Sequence, residues 1–167
     1  NNQIKKTQKK IVFTDGEDQN TLKAAIAFKN SGLGIPILVA KEKVVKNKLK
    51  EIGYSENFDI EIINSKSKKN REKYLKYIFK KFHGDKGELE PDVYELYLKD
   101  CERIIKNDKV AWGSCMVSCG DADAMVTGNT RRYGQSLDKV LKVVDSRPGE
   151  IMFGLNMVVS KGKTIFI

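Results

Sequence analysis

Apolar residues along the chain fall into short runs and helical stripes that take turns. Ile11, Val12 and Phe13 form a short run, and Leu22, Ala25, Ile26 and Phe28 then recur at helical spacing. Gly32 and Gly34 punctuate that stripe, as glycine does at helix ends. Ile35 to Ala40 reads as a fully buried strand with Pro36 near its start. A second helix follows with Val45, Leu49 and Ile52 on one face and Gly53 as its stop, and Phe58 to Ile63 supplies a third strand. Strand and helix alternating in this order predict an α/β fold of three layers, αβα, around a mainly parallel sheet.

The second half begins with a polar stretch, Ser65 to Asn70, that leads into a stripe of Tyr74, Leu75, Ile78, Phe79 and Phe82. Gly84 to Gly87 break the stripe, and Pro91 opens another helix carrying Val93, Leu96, Tyr97, Cys101, Ile104 and Ile105. A short helix with Trp112, Cys115, Met116 and Cys119 ends at Gly120. Asp121 to Gly128 reads as turn, strand and tight glycine exit, with Ala122 and Ala124 small enough for close approach. A helix with Leu137, Val140, Leu141 and Val144 facing inward comes next, and Arg147-Pro148-Gly149 breaks it. Ile151 to Ile167 looks like two strands joined by Ser160-Lys161-Gly162-Lys163. The chain stops inside an apolar strand, so we expect a fragment: a first α/β domain over residues 1–145 and the beginning of a second over 146–167.

Composition narrows the function classes. A hydrophobic content of 40% is enough for a real core. The apolar runs are far shorter than the ~20 residues a membrane span needs, so no membrane association is expected. Asn1 to Lys10 is basic but lacks the apolar stretch of a signal peptide. Three cysteines with no Cys-x-x-Cys spacing, and a single distant His83, argue against a metal site and for free thiols in a reducing cytoplasm.

Charge is lopsided within the net +9: residues 1–86 carry 20 Lys/Arg against 10 Asp/Glu, and residues 87–167 carry 11 against 12. The lysines are interleaved with apolar helix positions such as Val44, Val45, Leu49 and Ile52, and no aromatic stacking platform accompanies them. A solvated lysine-rich face therefore fits better than a nucleic-acid partner.

There is no P-loop, complete Gly-x-Gly-x-x-Gly, Gly-x-Ser-x-Gly or His-Glu-x-x-His. Two strand-to-helix turns remain. In open parallel sheets ligands bind beyond the carboxyl ends of the strands, where helix N-termini offer free N–H groups. Thr127, Gly128, Asn129, Thr130 and Arg131 make the better anion site, combining a glycine, two hydroxyls and a guanidinium, with Arg132 adding charge; the bland alternative is an ordinary capped turn with Arg131 in solvent. The first turn, with Asp15 and Gly16, is acidic and would repel phosphate; its Asp15, Glu17 and Asp18 suit helix capping.

At these residues a family resemblance enters. Ile11 to Asp18 resembles the opening motif of the phosphotransacetylase family, and Gly120 to Gly128 resembles its central motif. The variant is similar to the carboxy-terminal module of multimodular NADP-dependent malic enzymes, with further matches at Asp100 to Arg103, Cys115 to Val117, Val143 to Asp145 and Pro148-Gly149. The resemblance implies an isocitrate-dehydrogenase-like fold, in which the family transfers acetyl between acetyl phosphate and coenzyme A. In the malic enzymes the module is understood as an acetyl-CoA-sensing and oligomerising unit.

Two departures matter: Asn20 and Asp138 stand where active members commonly carry arginine. The family's catalytic serine and aspartate lie beyond Ile167, so no catalytic residue is assigned. The expected role is a binding and regulatory unit of a homo-oligomeric parent that oxidatively decarboxylates malate, with NADP and a divalent metal confined to the parent's malic-enzyme domain. The alternative is an active phosphate acetyltransferase.

Overall fold

A computed structural model of the chain describes residues 8–54, 58–84, 89–155, 157–160 and 162–166. In chain order they form β1 (Lys10–Phe13), α1 (Gln19–Asn30), β2 (Ile35–Val39), α2 (Glu42–Glu51), β3 (Glu61–Ile63), α3 (Arg71–His83) and α4 (Pro91–Asn107). Then come α5 (Lys109–Ser118), β4 (Ala124–Val126), α6 (Tyr133–Leu141), β5 (Met157–Ser160) and β6 (Lys163–Phe166). The first four strands make one parallel sheet in the order β3-β2-β1-β4. Phe13 stands opposite Leu38 on one side and Val126 on the other. The loops that leave β1 and β4 therefore emerge at the same edge, as the sequence pattern predicts.

Period-two alternation splits the strands between two cores. Phe13, Leu38 and Ala40 face α1 and α2, where they bury Leu22, Ala25, Ile26, Val45 and Leu49. Val12, Ile37 and Val39 face the opposite way, onto Tyr74, Ile78, Phe79, Ile105, Trp112 and Met116 of α3, α4 and α5. The two central strands, β1 and β2, are buried on both faces, which is why β2 reads as a continuous apolar run. The three-layer αβα architecture is the consequence.

The innermost helix is α5: Val110 to Met116 are all buried. A Cβ placed on Gly113 would lie 2.6 Å from Thr14 Cγ2 and 2.8 Å from Met125 Sδ. Glycine thus lets α5 approach the ends of β1 and β4 closely enough to floor the loops above. Cys115 is fully buried, and burial pushes its thiol up to about 12, whereas Cys119 at the helix end is only half-buried.

Several expectations need correction. The third strand is three residues long, not six, although Ile60 is buried. Ile35 donates its N–H to Lys9 O of the β1 side at 2.8 Å, so the next position faces β3, and Pro36 has no N–H to give. The β2–β3 ladder accordingly starts at Ile37 opposite Glu61. The strand at Ile35 to Ala40 is not buried throughout either, since Ile35 is 39% exposed.

On α6 the buried residue is Ser136, with Val143 just past the helix; Leu137, Val140 and Val144 are half-buried and Leu141 is exposed. Ser136 makes the close approach because it is small: a Cβ on Gly128 would lie 3.5 Å from its Oγ. Ala122 is buried as expected, but Ala124 is exposed because β4 is an edge strand.

Met157–Ser160 and Lys163–Phe166 pair antiparallel as a separate hairpin, and every described residue in it is exposed. The expectations for Asn1 to Thr7, for Asp85 to Gly87, for Lys161 in the hairpin turn and for Ile167 lie outside the described residues.

Candidate functional site

Backbone pairing brings the two turns together. Thr14 N–H donates to Val126 O at 3.1 Å, which carries the β1–β4 ladder one step past the strands. The Thr14 hydroxyl then donates to Thr127 Oγ1 at 2.7 Å, and Thr14 is fully buried. Gly16 crosses over β2, where a Cβ would meet Leu38 Cβ at 3.0 Å. Gly128 has φ of 102°, a left-handed conformation that favours glycine and turns two successive N–H groups the same way.

Those N–H groups converge on Asp15. Its Oδ2 accepts from Gly128 N and from Asn129 N, both at 3.1 Å. Oδ1 accepts from the Thr130 hydroxyl at 2.7 Å and lies 3.8 Å from Arg131 Nη2. The Asp15 side chain is 4% exposed. The acidic first turn therefore does not stand apart from the second: it supplies the second turn with an anion.

The three acids of the first turn have three different jobs, where capping was the expectation for all. Only Asp18 caps α1, accepting from Asn20 N and Thr21 N at 2.8 and 3.0 Å. The Thr21 N–H above all, with Asn20 N–H and the Asn129 amide, holds its carboxyl below the ordinary range. Glu17 reaches across to Lys41 N at 2.9 Å and Lys109 Nζ at 2.9 Å. Burial alone would raise its carboxyl, but these bonds and the two lysine charges bring it below the ordinary value.

Asn129 Nδ2 donates to Asp18 Oδ1 and, at 3.3 Å, to Thr21 Oγ1, locking the second turn onto α1. Arg131 is not a solvent decoration. Its side chain is only 25% exposed, and Nη1 is buried without a hydrogen-bond partner among the described residues. Ser136 Oγ nearby is buried and unpartnered in the same way.

Asp15, Glu17 and Asp18 of the first turn and Thr130 and Arg131 of the second line a cleft of about 520 Å³. Four carboxylates border it, Asp15, Glu17, Asp18 and Asp108, against four cations, Lys48, Lys109, Arg131 and Lys139. Three of the cations are already paired: Arg131 with Asp15, Lys109 with Glu17, and Lys139 with Asp108 at 2.6 Å. The cleft is charged but balanced.

Asp108, Lys109 and Lys139 escaped sequence reasoning. An aspartate just before the apolar run from Val110 is an N-cap signature that could have placed Asp108, and it does cap α5 through Val110 N at 2.9 Å. Nothing in the sequence points to Lys139. Asn20 is exposed in the first turn of α1, and Asp138 is exposed on α6 and does not line the cleft.

A larger hollow, about 740 Å³, lies beside α2 over Tyr54, Phe58 and Ile60. No residue of the two turns lines it, and Leu49, Tyr54, Phe58 and Ile60 give it an apolar floor. The smaller cleft is the better candidate because carboxylates of the first turn meet the Thr130 hydroxyl and the Arg131 guanidinium of the second there.

A parallel sheet between helical layers, with a polar cleft where two strand-to-helix loops meet at its carboxyl edge, defines an open α/β domain. The chain belongs to the phosphate acetyl/butaryl transferase family, whose profile matches residues 1–167. It is 31% identical over 160 residues, 95% of the chain, to a probable NADP-dependent malic enzyme of Rickettsia prowazekii. With an NADP-dependent malic enzyme of Rhizobium meliloti it shares 30% identity over 165 residues, 98% of the chain. A phosphate acetyltransferase of Helicobacter pylori is 28% identical over 146 residues, 87% of this chain and 26% of the relative.

The chain spans 20% of the length of each of those two malic enzymes. A solved phosphotransacetylase from Staphylococcus aureus superposes with a TM-score of 0.81 at 19% identity, covering 99% of this chain and 47% of the other. That likeness shows the fold.

Proposed function

We propose that the chain is the amino-terminal part of a phosphotransacetylase-like module in a cytoplasmic malic enzyme, serving as an acetyl-CoA-binding regulatory and oligomerisation unit. One observation carries the choice of binding over turnover. Asp15 fills the N–H pair of the central turn, and three of the four cleft cations are already ion-paired. In acetyl transfer to coenzyme A the phosphate departs as an anion, and it needs donors left open for the charge that develops on it. A ligand that is merely held can be met by Arg131 Nη1, the buried donor that lacks a partner. Identity of 30% and 31% to malic enzymes across nearly the whole chain supports the parent.

On this reading Thr127, Gly128, Asn129, Thr130 and Arg131 form the ligand-side turn, and Asp15 and Gly16 its facing loop. Residues 1–145 make the first α/β domain. Residues 146–167 open the second, a division supported by a hairpin that forms its own sheet. Acetyl-CoA would act on malate oxidation as a coupling free energy between two sites, ordinarily about 1–3 kcal/mol.

The alternative, an active phosphate acetyltransferase, draws on the 28% identity to the Helicobacter pylori enzyme. Two assays of the full-length protein that carries this chain separate them. Acetyl-CoA should change the rate of malate oxidation, and acetyl phosphate plus coenzyme A should give no acetyl transfer above background. Transfer near ~10 s⁻¹, a usual enzyme turnover, establishes the alternative.

A further inference from the structure

We propose that Asp15 is an internal anion that guards the cleft: it occupies the N–H pair of the 127–131 turn, and an incoming anionic group gains those donors only by displacing it. Two successive backbone N–H groups aimed at one point make an anion-binding concavity. Here Gly128 N and Asn129 N both meet Asp15 Oδ2 at 3.1 Å, while the Thr130 hydroxyl meets Oδ1 at 2.7 Å. Arg131 adds its charge at 3.8 Å. Three donors and one cation on one carboxylate is the coordination a bound phosphate or carboxylate would receive, and Asp15 lies 113 positions from Gly128 in sequence.

The carboxylate is sealed from water, with its side chain 4% exposed, so the contact is not a surface ion pair that solvent could replace. Two buried polar atoms beside it, Arg131 Nη1 and Ser136 Oγ, have no partner among the described residues. For the identity of the ligand alone, the inference rests on the acetyl-CoA reading.

The test is chemical rescue in the full-length protein. Asp15→Ala vacates the position, and a small anion can then enter it. Formate or inorganic phosphate should raise the melting temperature of Asp15→Ala saturably beyond the effect of chloride at equal ionic strength. Wild type should respond to all three alike. Inorganic phosphate should bind Asp15→Ala at least about tenfold more tightly than wild type, the weight of one hydrogen bond to a charged group. Equal responses and equal phosphate affinities in the two proteins would overturn the inference.

Should Asp15→Ala fold in none of these salts, Asp15→Asn keeps the shape without the charge. The Gly128 and Asn129 amide proton resonances should then move upfield as they lose a charged acceptor; unchanged resonances would also overturn it. Acetyl-CoA titration of wild type is read separately. No binding there defeats the ligand assignment and leaves the rescue result standing.

Discussion

Asp18 is where one side chain serves two structures. Its carboxylate caps α1 through Asn20 N and Thr21 N and also receives the Asn129 amide of the opposite turn. Replacement by alanine removes the cap, a loss of about 0.5–2 kcal/mol on the usual scale for N-caps. The same change frees Asn129 from one partner, so the 127–131 turn should loosen. Asp18→Ala is therefore expected to lower the urea midpoint and to speed hydrogen exchange at Gly128 and Asn129 more than in β2. A lowered midpoint with unchanged exchange at those amides would mean that Asp18 serves the helix alone. Arg131 works at the same scale: its Nη2 pairs with Asp15, and its buried Nη1 has no hydrogen-bond partner among the described residues.

At the scale of elements, α5 decides how closely the site can be floored. Gly113→Ala would gain roughly 1 kcal/mol of helix propensity. Against this, the new methyl would lie 2.6 Å from Thr14 Cγ2. Thr14 cannot swing away, because it is β-branched, fully buried and bonded to Thr127. Overpacking of that kind costs about 1–3 kcal/mol, so we expect a net loss and a lower urea midpoint at unchanged slope. A midpoint at or above that of wild type would show that α5 can retreat.

What the sequence disclosed of these elements follows from what periodicity can encode. The β1–α1–β2–α2 run was legible because both strand faces are buried and each helix has one apolar stripe. The length of β3 was not, since Phe58 and Ile60 are apolar whether or not a ladder partner exists, and Pro36 withholds one. The inward face of α6 was misread because spacing shows that a helix has two faces but not which residue makes the closest approach. Ser136 does, against Gly128. The pairing of Asp15 with the second turn was invisible for a simpler reason: it depends on the register of β1 beside β4, and no local pattern specifies that.

At the scale of the whole molecule, many carboxylates are held by lysines and amides rather than by water. Glu17, Asp18 and Asp121 all sit below their ordinary values. Burial would raise Asp121, but bonds from Lys73 and the Tyr74 hydroxyl outweigh it. A carboxyl depressed in the folded state contributes stability that is complete above its unfolded value. That contribution is lost as pH falls through the folded one. The unfolded values are 4.5 for Glu17 and 3.8 for the two aspartates, so the urea midpoint should be flat near pH 6–7 and decline steadily below about pH 4.5. A midpoint independent of pH down to 3 would contradict the assignment of these groups.

The central claim is that a phosphate-bearing ligand, acetyl-CoA, is held at the 127–131 turn, and Arg131 is its most direct probe. A buried guanidinium nitrogen with no partner among the described residues is a donor awaiting an acceptor. Hydrogen bonds to charged groups contribute about 1.5–3 kcal/mol. Titration calorimetry of the full-length protein with acetyl-CoA should therefore show Arg131→Ala binding roughly tenfold to a hundredfold more weakly than wild type. Equal affinities would remove Arg131 from the site, and no binding by either protein would remove acetyl-CoA.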